Sequence, residues 1–138
     1  PRKLGALQLT EEIRGDRASR IINQMHGKGV TPADNMIGMY TSREGMATVY
    51  QSKYNSRKQS EETLRGMVRG IETGNTPFSD FKSMQIAGQD IFFCIGSGQA
   101  HYFFTADEFL YWLATDIHVA EDAAQELIRA IRGSSITT

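Results

Sequence analysis

Apolar positions along this chain repeat with two periods, and the switches between them mark out its elements. Ala18, Ile21, Ile22 and Met25 stand at helical spacing after Gly15-Asp16, where Asp16 can cap free backbone N–H groups; Gly27 is a natural stop. Leu64, Met67, Val68 and Ile71 form a narrow stripe on the strongest helix, Ser56–Thr73. Ser56 and Gln59 open it at capping-box spacing, and Gly74 and Pro77 end it. Gly66 and Gly70 share a neighbouring face and predict a close backbone approach there. Ala120, Ala123, Ala124, Leu127, Ile128 and Ile131 predict a last helix, capped by Thr115 or Asp116 and closed by Gly133, with Ser134–Thr138 as a frayed tail.

The other segments read as strands. Leu4–Leu9 is the first, followed after the first helix by a polar loop over 27–35 that contains Pro32. Met36–Thr41 and Met46–Tyr54 make a hairpin across Ser42-Arg43-Glu44-Gly45. Lys82–Ala87 leads to a turn at Gly88-Gln89. Ile91–Ala114 is then a meander of three strands, turning at Gly96-Ser97-Gly98-Gln99 and at Thr105-Ala106-Asp107-Glu108. It is so rich in aromatic and aliphatic residues that both of its faces require cover.

These elements predict a single α+β domain over residues 1–138, a mainly antiparallel sheet with helices packed on one face. The order β-α-β-β-α-β at the start matches the split βαβ of ferredoxin-like domains, with the meander and a C-terminal helix added. That topology carries no functional content by itself.

Counting outward from the two tips sets Cys94 opposite His101 and His101 opposite Trp112, on one face with Phe92, Phe103, Leu110 and Ala114. Facing side chains in antiparallel strands hold their Cβ atoms about 4.5–5.5 Å apart. An imidazole beside a thiol can make it nucleophilic, and the pair can supply two ligands to a soft metal or a haem iron. Isolated pairs are structural more often than chemical, which favours a satisfied core histidine next to a small apolar cysteine. Tyr102 would shape such a site from the adjoining position. His26, at the end of the first helix, is placed to meet the helix dipole, or to join His101 on a haem if the helix end reaches the sheet. Gly96-Ser97-Gly98 could form an anion nest but fits a hairpin tip better. His118 is expected to face solvent.

The opposite face of the meander (Ile91, Phe93, Ile95, Tyr102, Phe104, Phe109, Tyr111, Leu113) predicts a homodimer interface or the lining of a small-molecule pocket. Net charge is -1, from 15 basic and 16 acidic residues, which argues against a nucleic-acid partner. Lys53, Arg57 and Lys58 beside Tyr50 and Tyr54 are followed at once by Glu61 and Glu62, and read as a solvated helix start. A single cysteine permits no internal disulfide and no cysteine-rich zinc site. No apolar run approaches the roughly 20 residues of a membrane span. The chain begins at Pro1, which fits a cytoplasmic protein or one exported after loss of an N-terminal segment. The reading is of a small non-catalytic binding, sensory or accessory domain. The alternative is an enzyme or a metal or haem protein built on Cys94 and His101, its cofactor unspecified.

Overall fold

The computed structural model describes residues 2–26, 34–73 and 78–137, with positions 23–26 and 134–137 described by their backbone alone. The expected stops at Gly27, Gly74 and Pro77 and the loop around Pro32 lie outside the described residues. The elements run β1 Lys3–Leu4, β2 Leu7–Arg14, α1 Gly15–His26, β3 Asp34–Thr41, β4 Met46–Lys53, α2 Arg57–Glu72, β5 Ser79–Ile86, β6 Gln89–Gly96, β7 Gln99–Ala106, β8 Phe109–Asp116 and α3 Ala120–Thr137. A single 3-10 turn, Ile117–Val119, leads into α3.

Among the described residues eight strands form one sheet in the order β1-β2-β3-β4-β8-β7-β6-β5, each pairing antiparallel. The ferredoxin-like start predicted from element order is therefore wrong. A split βαβ joins parallel strands through helical crossovers. Here β2 and β3 flank α1 in sequence yet lie side by side and antiparallel, so α1 is an excursion from a hairpin. Gly15 makes the abrupt change from strand to helix with φ of 65°, a conformation open to a residue without Cβ. The sheet curls into a half-barrel.

The helices also divide between the two faces, against the expectation of one. Ala18 and Ile22 of α1 pack with Ile13 and Ile37, while Ile71, Leu64, Met67 and Val68 of α2 pack with Cys94, Phe103 and Trp112. Tyr50 touches both groups, so α1 and α2 share the convex face. The concave face holds α3, whose Ala120, Ala123, Ala124, Leu127 and Ile128 pack with Leu4, Tyr102, Phe104 and Leu113. Contacts from α3 to both β1 and β5 show both ends of the sheet reaching it. The second apolar face of the meander is thus covered mainly by the chain's own helix. That helix also runs through Gly133 to Thr137, past its expected stop.

The half-buried stripe of α2 leaves Gly66 and Gly70 in open space, with no described atom within 4 Å of a Cβ built at either, so the expected close approach is not there. Polar pins set the helices on the sheet. Asn35 donates to Ser19 of α1 and accepts from Ser52 of β4, both at 2.9 Å and largely shielded from water. Ser60 of α2, fully buried, reaches the carbonyl of Asp107 at 2.7 Å, and the Tyr54 amide donates to the Glu108 carbonyl at 2.8 Å. Buried polar groups held in this way avoid a desolvation cost and fix geometry.

Candidate functional site

The Cys94–His101 register is as counted, since Ser97 and Gly98 form a two-residue turn with φ of 54° and 75°. The next turn differs. The tip lies one residue further on: Asp107, at φ of 53°, and Glu108 make the two-residue turn where Ala106 and Asp107 were expected at its centre, which moves the register of β8 by two positions. His101 then faces Ala114, and Phe103 faces Trp112. Because side chains alternate with period two, a shift of two keeps every face intact. Trp112 is diagonal to His101 on the same face, and its Nε1–H donates to His101 Nδ1 at 3.0 Å. His101 Nε2 lies 2.9 Å from the Gly96 carbonyl. An indole N–H can only donate, so Nδ1 accepts and Nε2–H donates to Gly96.

This arrangement is sealed. Cys94 is 0% exposed and His101 7%. Burial pushes the thiol up to about 11, the opposite of nucleophilic activation. Burial also lowers the His101 pKa, opposed by its bond to Gly96. Phe78 meets His101 edge-on at 5.1 Å between ring centres, and Phe103 stacks on Trp112 at 4.6 Å. Both imidazole nitrogens are engaged by protein groups. Tyr102 is on the other face, under α3, and packs against Phe93. The His26 side chain lies outside the described residues. His118 is exposed and bonds the Glu44 carbonyl. The structure brings together Cys94, His101 and Trp112, and separates Tyr102 from them.

A cavity of about 430 Å³ lies on the concave side, between the sheet and the C-terminal half of α3. That is within the usual size of small-molecule sites. Met36, Gly38 and Tyr40 of β3, Val49 and Gln51 of β4, and Phe109 and Tyr111 of β8 form its floor. Leu127, Ala130 and Ile131 of α3 form the opposite wall, and Glu12 and Asp107 stand among the lining residues. Phe109 and Tyr111 belong to the face for which the sequence predicts an interface or a pocket.

Glu12 reaches the cavity through a β-bulge. The β2–β3 register slips between Leu9 and Glu11, so Leu9 pairs with Tyr40 but Glu12 pairs with Gly38. The extra residue, Thr10, reverses the alternation. Ile13 is thereby turned to α1 on the convex side, and Glu12 to the cavity. Gly38 keeps that stretch of floor low: a Cβ there would sit 3.2 Å from Tyr40 Cε1 and 3.4 Å from Leu9 Cδ1.

Tyr40 and Tyr111 of that floor are 4% and 8% exposed. Burial raises the pKa of both, with Glu12 adding to the effect at Tyr40. Tyr111 is pushed to about 12, burial leading and Asp107 adding. The sequence signals missed here were Tyr40 and Glu12. Each becomes visible only once the bulge and the β4–β8 pairing set which strands share the concave face. Set against models of protein families, curated proteins and solved structures, the chain matches none of them.

Proposed function

We propose that this protein is a non-catalytic binding domain whose site is the cavity between α3 and the concave sheet. The reading is carried by one observation: a volume of about 430 Å³ whose apolar walls are interrupted by two tyrosines, Gln51 and two carboxylates. Small-molecule sites combine an apolar lining with a few placed polar groups in this way. Binding is favoured over turnover because the thiol–imidazole pair, Cys94 and His101, is locked away on the opposite side of the sheet. Cys94 holds its proton, and His101 has both nitrogens occupied. No helix among the described residues is long and apolar enough to cross a membrane.

The test uses the neutral fluorescent probe N-phenyl-1-naphthylamine. Its emission is expected to rise saturably with one site per chain. Ala130→Trp, which places an indole into the cavity from half-buried α3, should abolish the rise while circular dichroism stays unchanged. A probe that binds the folded Ala130→Trp variant as well as the parent protein would overturn the reading.

A further inference from the structure

We infer that the cavity takes an organic cation, a molecule with an apolar body and an ammonium head; this rests on reading the cavity as the binding site. The lining is chemically one-sided. Among the described lining residues Glu12 and Asp107 are the ionisable ones besides the two tyrosines, and there is no Lys, Arg or His. An anionic head group would meet carboxylates and no counter-charge. An ammonium would meet Glu12 on one side of the floor, with Tyr40 and Tyr111 among the residues around it.

Two further observations and one general property of phenol rings support this. Burial raises the pKa of both tyrosines, and the negative charge of Glu12 adds to this at Tyr40 and that of Asp107 at Tyr111, which places both carboxylates close to the lining. A phenol ring presents negative charge on its face and attracts cations within about 6 Å of its centre. The remaining lining, Met36, Val49, Phe109, Leu127 and Ile131, offers an aliphatic or aromatic body an environment without hydrogen-bonding demands.

The cations nearest these carboxylates do not cancel them. Arg14 lies 3.3 Å from Glu12 with its side chain 66% exposed, and Arg57 lies 3.8 Å from Asp107 with both side chains more than 70% exposed. Exposed pairs of this kind are weak, and water screens them. An ammonium lodged inside the cavity would face Glu12 from the less hydrated side, where the same charge acts more strongly.

The experiment compares three ligands of equal chain length that differ only in the head: n-octylammonium, 1-octanol and octanoate. Each is titrated against the protein carrying bound N-phenyl-1-naphthylamine, and displacement is confirmed by calorimetry. n-Octylammonium is expected to bind at least about tenfold more tightly than octanoate, with 1-octanol between them. Glu12→Gln should remove most of that preference, and the preference of the parent protein should shrink as salt is raised. Octanoate or 1-octanol binding as well as the ammonium would overturn the cation assignment and leave the cavity standing as an apolar site. Failure of all three to displace a probe that does bind would also overturn the assignment. If the probe itself does not bind, both the assignment and the proposed function fall.

Discussion

Trp112 donates its indole N–H to Nδ1 of His101 at 3.0 Å across two strands of the sheet. The bond ties β8 to β7 on the convex face and dictates the tautomer of the histidine. The opposite nitrogen, 2.9 Å from the Gly96 carbonyl, must carry the hydrogen. A protonated imidazole would turn Nδ1 into a donor facing a donor, so the pair is compatible only with a neutral ring.

Acid should therefore weaken the fold through this one residue. Burial lowers the pKa of folded His101 from the ordinary 6.5, so between the two values the unfolded chain binds the extra proton. Stability from His101 is fully present above about pH 6.5 and is lost as pH falls toward the folded value, below which this residue adds no further slope. Urea midpoints between pH 7.5 and 5.0 are expected to drop more steeply for the parent protein than for His101→Gln, which still has a side chain to bond but cannot titrate. Equal slopes would rule this out.

Removing the ring should cost stability at neutral pH as well. His101→Ala leaves the Trp112 N–H and the Gly96 carbonyl without their partners in a dry interior, a loss of about 1–3 kcal/mol. Chemical denaturation at pH 7.5 measures it. A variant as stable as the parent would show that the ring is not part of the framework and would reopen a chemical role.

Cys94 should behave as an interior residue. It is fully buried and its thiol is pushed up to about 11. A disulfide reagent at pH 8 should modify it only as fast as the protein opens, and at full speed in denaturant. Rapid stoichiometric reaction with native protein would contradict both the burial and the raised pKa.

How much of this was legible beforehand follows the range of the interactions concerned. The stripes of α1, α2 and α3 depend on neighbours three and four residues away, and they read correctly wherever their side chains are described. The pairing of Cys94 with His101 was visible because Ser97-Gly98 is a local turn signal. Trp112 was misplaced by two positions because Asp107 adopts positive φ, which glycine would have announced, and because that turn is held by Ser60 and Tyr54 from distant segments. Face survived the error and register did not. The choice of the concave side by α3 and the pairing of β4 with β8 are long-range events with no local signature. The bulge at Thr10 hid Glu12 in the same way: Leu7, Leu9 and Ile13 alternate as if they shared a face, and they do not.

The close contact of Gly96 with Phe78 gives a sharp steric prediction. A Cβ at position 96 would fall 2.5 Å from Phe78 Cδ1 and 2.9 Å from its Cε1. Phe78 also packs on both His101 and Trp112, so it cannot simply rotate away. Gly96→Ala should destabilise by about 1–3 kcal/mol, the usual cost of overpacking. Combining it with Phe78→Ala should cost less than the sum of the two single changes, because the clash is then absent. Additive losses in urea titration would argue against the contact.

The cavity makes its own prediction in alkali. Tyr111 titrates near 12 in the folded protein, chiefly because it is buried and also because Asp107 lies close. In the unfolded chain it titrates near 10, so above that pH the unfolded state gives up a proton that the native state retains. Folding free energy from this residue is whole below about pH 10 and declines as pH rises toward 12. The other tyrosines contribute slopes of the same sign, since Tyr40, Tyr50, Tyr54 and Tyr102 are also raised by burial. The informative measurement is consequently the difference between parent and Tyr111→Phe. Thermal midpoints from pH 9 to 11.5 should fall less for the variant. Asp107→Asn should fall between the two, because it removes the smaller cause of the shift and leaves burial untouched. A Tyr111→Phe curve parallel to that of the parent would mean that this hydroxyl meets water, and that the cavity wall is more open than its 8% exposure implies.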